Sequence, residues 1–114
     1  MPLDENLNQR IRGALSNVEG VSEKRMMGGV CFFLRGNMLC GARRHQDGVS
    51  RFMFRIGKAQ EQDALVNPSA KAVVHGDHKV GGFVHVEASA CNEAALSGWL
   101  NMCIDHAAGL PAKD

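Results

Sequence analysis

The chain has 114 residues, 45% of them hydrophobic, and 13 Lys and Arg against 12 Asp and Glu leave a formal charge of +1. That length holds one core able to bury about two thirds of the unfolded surface without metal or disulfide help, so one domain over residues 1–114 is expected. The charge gives no global field toward nucleic acid or an anionic membrane, and no apolar run approaches the roughly 18 residues of a membrane helix.

The first stretch, MPLDENLNQR, lacks the basic start and apolar run of a signal peptide, which makes the cytoplasm the expected compartment. From Leu3 to Val18 the residues Leu7, Ile11, Ala14, Leu15 and Val18 recur at spacings of three and four, the stripe of an amphipathic helix. Asp4 can cap its start, and Glu19-Gly20 ends it. Gly13 weakens the helix interior by about 1 kcal/mol relative to alanine, which fits either close packing on a sheet or chance tolerance.

Residues Val21 to Arg25 lead into MMGGVCFFLRGNMLCG, Met26 to Gly41, which reads as a β-hairpin. Between Val30 and Leu39 every residue other than Arg35, Gly36 and Asn37 is apolar, and Gly36-Asn37 is a pair that tolerates positive φ at a hairpin tip. That turn pairs Arg35 with Met38 and Phe33 with Cys40, and so gathers Cys31, Phe33, Met38 and Cys40 on one face. Two glycines in succession, Gly28-Gly29, point to a bulge, a bend or the close approach of another backbone.

Residues 42–50, ARRHQDGVS, are polar with Asp47-Gly48 as a turn signal. A third strand follows in RFMFRIG, with Phe52, Phe54 and Ile56 on one side and Arg51, Met53 and Arg55 on the other. Residues 58–66 give a short helix, stopped by Asn67-Pro68. Residues 71–75 give a fourth strand, 76–79 a turn, and FVHVE a fifth strand with Val84 and Val86 inward. Asn92 starts the last helix, whose stripe of Leu96, Trp99, Leu100, Cys103, Ile104 and Ala107 runs to Gly109 and Pro111.

The order α-β-β-β-α-β-β-α predicts an α+β fold, a two-layer α/β sandwich on a five-stranded, mainly antiparallel sheet. Three helices, one of them short, can cover only one face of such a sheet. The face left open carries Cys31, Phe33, Met38, Cys40 and Met53, and an apolar patch of that kind predicts an interface, most simply in a two-fold homodimer.

Particular residues also carry a family resemblance: Met26, Met27, Gly28 and Gly29 before a strand, Gly36-Asn37 through Gly41 in GNMLCG, the FRIG strand end, GFVHVE and a closing amphipathic helix. Together they resemble the N-terminal domain family of the TfoX/Sxy competence regulators over nearly the whole chain. The family's usual first motif is MFGG, so Met27 replaces an aromatic ring by a thioether of similar bulk. The resemblance implies a small two-layer α/β domain of a family without an established catalytic activity. In the full-length regulators this domain is joined to a second one and acts with a transcription activator on DNA-uptake genes, whereas this chain ends at Asp114, so a stand-alone regulatory or adaptor domain, working through a protein partner, is expected.

No catalytic, metal or cofactor site is expected. His75, His78 and His85 lack the preset ligand pair of structural zinc, and no cysteine lies near them in sequence. Cys31, Cys40, Cys91 and Cys103 form no CxxC pair and read as buried thiols, although Cys91 directly precedes a helix whose dipole could lower its pKa. Gly28-Gly29 and Gly81-Gly82 fit neither a P-loop nor a dinucleotide fingerprint. Arg43, Arg44, Arg51, Arg55 and Lys58 form the one local basic cluster, which offers nucleic-acid binding as the alternative function.

Overall fold

A computed structural model describes residues 5–26 and 28–113. Leu3, the Asp4 cap and Met27 of the motif lie outside the described residues. The elements are α1 (Glu5–Ala14), β1 (Val21–Met26), β2 (Gly29–Leu34), β3 (Asn37–Arg44), β4 (Ser50–Arg55), α2 (Glu61–Val66), β5 (Ala70–His75), β6 (His78–Glu87) and α3 (Glu93–Ala108), with single 3-10 turns at Lys58–Gln60 and Ala88–Ala90. The sheet is open and wholly antiparallel, in the order β1-β2-β3-β4-β6-β5.

The α+β class holds, but the sheet has six strands rather than five. The added strand is β1, VSEKRM, whose residues are almost all exposed. It is an edge strand held by its backbone ladder to β2 rather than by burial, so it carries no apolar alternation to betray it. Its charged side chains suit an edge, and Arg12 of α1 ties it down through Glu23 at 2.7 Å.

The helix-side core is built as the periodicities require. Leu7, Ile11 and Leu15 from the first helix and its exit turn, and Leu96, Trp99, Leu100, Cys103 and Ala107 from α3, pack on Phe32, Leu34, Phe52, Phe54, Ile56, Val84 and Val86. Phe54 stacks on Trp99 with ring centroids 5.6 Å apart. Asn92 caps α3 by accepting from the Ala95 N–H at 2.8 Å. The first helix ends at Ala14, several residues before Gly20, and a Cβ on Gly13 would meet nothing within 4 Å, so that glycine serves no packing role.

The hairpin turn is displaced by one residue. Its two central residues are Arg35 and Gly36, with φ of 49° and 83°, the double positive φ of a type I′ turn. Asn37 instead opens β3. It is buried and donates from Nδ2 to the Pro111 carbonyl at 2.9 Å, while Lys113 N–H donates to the Arg35 carbonyl at 2.8 Å. The C-terminal tail therefore docks on the hairpin tip. A bulge at Leu39 then follows, so Phe33 pairs with Met38, Phe32 with Cys40 and Cys31 with Gly41.

Candidate functional site

Period-two alternation and this register decide what faces away from the helices. Cys40 does not. Opposite Phe32 and Phe54 it is fully buried in the helix-side core, which removes it from the face that a Gly36-Asn37 turn assigns it to. The open face carries Cys31 and Phe33 from β2, Met38, Gly41 and Arg43 from β3, Arg51 and Met53 from β4, and Phe83 and His85 from β6. Cys31 is only 3% exposed, so it belongs to the floor rather than to a contact surface. Lys24 of β1 stands over the Phe33 ring, 5.4 Å from its centroid.

Backbone geometry shapes this face into a basin. A Cβ on Gly29 would lie 2.6 Å from the Ala42 carbonyl, so of the readings open for the glycine pair, close backbone approach is the one realised at Gly29. On the far side, β5 and β6 lose register between Ala72 and Val73: Ala72 pairs with Val84 but Val73 with Val80, leaving Gly81, Gly82 and Phe83 as extra residues on β6. Such an insertion bends a strand and re-aims its side chains. Here Val73, Val80 and Phe83 join Cys31, Met38 and Met53 around a cavity of about 400 Å³.

One end of the cavity is polar. Arg43 and Arg51 are register partners on adjacent strands, and His45 and His85 meet edge to face with ring centroids 4.9 Å apart. Arg51 is held by Asp47 through two contacts of 3.2 and 2.7 Å, and Asp47 is lowered to about 2 by those bonds and the Val49 N–H. Arg43 makes no ion pair among the described residues. Burial pushes His85 down to about 4, helped by His45, Arg51 and Arg43, and burial then the same two arginines lower His45 against the opposing pull of Asp47. Both imidazoles are neutral at pH 7.

The basic cluster is divided rather than assembled. Arg43 and Arg51 line the cavity; Arg44 is exposed at the end of β3; Arg55 pairs in register with Phe83 at the other end of β4; the Lys58 chain lies against Gly81. All four cysteines are free and buried, with thiol pKa values raised by desolvation, and Cys103 and Cys31 near Cys40 add to the rise there. Burial raises the Cys91 thiol too, against the opposing pull of Arg10. Among the described residues no three His, Cys, Asp or Glu gather as a metal-binding group, and His75 and His78 face each other across a tight turn.

The alternation of FVHVE places Phe83 and His85 on the open face, a signal the sequence holds. Val73 follows from the alternation of β5 with Lys71, the partner of His85, whereas Val80 reaches the face only through the strand irregularity, which no periodicity reveals.

The family model of the TfoX N-terminal domain matches residues 13–107. The chain belongs to the TfoX N-terminal domain family. No curated protein and no solved structure matches the chain significantly. Membership marks a domain of the kind found in competence regulators, in a family not known for enzymes. The match spans the hairpin, the open face and nearly all of α3, so the cavity lies within the matched residues. No helix among the described residues is long and apolar enough to cross a membrane.

Proposed function

We propose that this TfoX N-terminal domain is a non-enzymatic regulatory or adaptor module acting in the cytoplasm through protein contacts on its open face, first with a second copy about a two-fold axis. The observation that carries the reading is the one-sided packing: all three helices join the core on the other side, and Phe33, Met38, Met53 and Phe83 remain only half-buried. Water over such a strip is costly, and one self-complementary patch suffices for a closed pair. Of the residues first assigned to the interface, Phe33, Met38 and Met53 make the contact with Phe83 added, Cys31 supports from the floor, and Cys40 has no part.

Lys24, Arg43 and Arg51 ring the strip, so pairing brings like charges closer and added salt strengthens it. Contact with phosphates has the opposite salt dependence, which separates the alternative of nucleic-acid binding by Arg43 and Arg51. Sedimentation of the wild type and Phe33→Asp is the test. The wild type is expected to be a dimer at a concentration on the order of 100 µM and the variant a folded monomer. A monomeric wild type at that concentration refutes self-association. A nucleic-acid gel shift at about 50 mM salt that fades by about 200 mM selects the alternative.

A further inference from the structure

We propose that the cavity on the open face binds a single-chain anionic amphiphile, its apolar tail against Met53, Val73 and Val80 and its carboxylate at Arg43 and the His45–His85 pair. The inference rests on the reading of this face as the working surface of the domain, and it makes the amphiphile and a second copy competitors for that surface.

Three features argue for this class of occupant. The first is size: about 400 Å³ lies near the lower end of the roughly 300–1,000 Å³ usual for small-molecule sites, room for one chain and one head group. The second is the separation of chemistries. The floor is of valine, methionine and Phe83 side chains, and Arg43, Arg51, His45 and His85 gather at one end, with His75 on β5 as the remaining polar group of the wall. The third is charge. No Asp or Glu lines the cavity among the described residues, Arg51 already has Asp47 as its partner at the exposed turn, and Arg43 has none. Arg43, exposed at the rim of the apolar floor, favours a carboxylate that leaves its tail on that floor, and each neutral imidazole adds one N–H donor without adding charge. A cation would meet two arginines, and an uncharged chain would gain nothing from Arg43.

The test is a titration of labelled protein followed by NMR, using octanoate, octan-1-ol and acetate as probes on the wild type and on Phe33→Gln. Phe33 does not line the cavity, so the variant loosens self-association without touching the site. Octanoate is expected to move the amide signals of Gly41, Met53 and His85, with octan-1-ol binding about tenfold more weakly and acetate not measurably, since both tail burial and a hydrogen bond to a charged group are needed. Arg43→Ala is expected to lower octanoate affinity about tenfold and leave octan-1-ol unchanged, and Val80→Trp to abolish both by filling the cavity. Equal binding of octanoate and octan-1-ol, unchanged octanoate affinity in Arg43→Ala, or no octanoate binding by Phe33→Gln overturns the proposal. Sedimentation without probe reports self-association separately. A monomeric wild type that binds octanoate refutes the pairing and supports the site; a dimer whose Phe33→Gln variant does not bind refutes the site and leaves the pairing.

Discussion

Replacing Gly36 by alanine tests whether the docked C-terminal tail, rather than local turn preference alone, fixes the hairpin. Gly36 has a φ of 83°, and a Cβ there would fall on Lys113, 2.8 Å from its Cβ and 2.9 Å from its carbonyl carbon. Two costs follow. An L-residue in the left-handed region costs about 1 to 2 kcal/mol whatever surrounds it. Displacing the tail also forfeits the Lys113–Arg35 backbone bond of 2.8 Å and the Asn37–Pro111 bond of 2.9 Å, at about 1 kcal/mol each. Asn37 is 1% exposed and its Oδ1 finds no partner among the described residues, so losing the Nδ2 bond as well leaves the side chain without any. The expected cost of Gly36→Ala in the full chain is therefore about 3 to 4 kcal/mol, a large part of a small domain's stability. In a chain ending at Leu110 the tail bonds are already gone, and the same substitution should cost only the conformational part, about 1 to 2 kcal/mol. Urea unfolding of the four chains gives the coupling directly. Equal costs in both backgrounds would refute the tail's role in setting the turn.

Gly13→Ala and Gly98→Ala should each stabilise the domain by about 0.5 to 1 kcal/mol in urea unfolding, because both sit on exposed helix positions where an added methyl meets nothing within 4 Å. His85 is lowered to about 4 in the fold against an ordinary value near 6.5, so the unfolded chain binds the extra proton first and stability falls as pH drops from about 6.5 toward 4, by about 2 kcal/mol at pH 5. Thermal melts of His85→Gln across that range should show a shallower decline; an unchanged slope would refute the assignment to His85. Native protein should label slowly at Cys31, Cys40, Cys91 and Cys103 and completely after unfolding, since all four are buried with raised pKa values, and rapid labelling of two or more thiols in the native state would contradict this. Cys40→Ser should cost about 1 to 3 kcal/mol, the penalty of a hydroxyl in an apolar core, whereas a near-neutral effect would place Cys40 on the open face after all.

The α+β class, the stripes of the first and last helices, the inward row of Phe52, Phe54 and Ile56, the cap at Asn92 and the one-sided cover of the sheet are all legible in the sequence. Each rests on interactions between residues a few positions apart, or on an alternation that repeats along one element. Three features depend on contacts between distant parts of the chain. β1 joined the sheet through backbone bonds to β2, which leave no trace in side-chain pattern. The turn moved to Arg35-Gly36 with Asn37 held by Pro111, a partner 74 positions away in the chain; that shift alone would leave Cys40 opposite Cys31 on the open face, and it is the Leu39 bulge, one residue inserted into a period-two alternation, that carried Cys40 into the core. The break in pairing at Val73 brought Val80 over the open face beside Phe83, so the cavity is completed through a strand irregularity rather than a motif. Local preferences select elements; register and long-range docking select which of their residues meet.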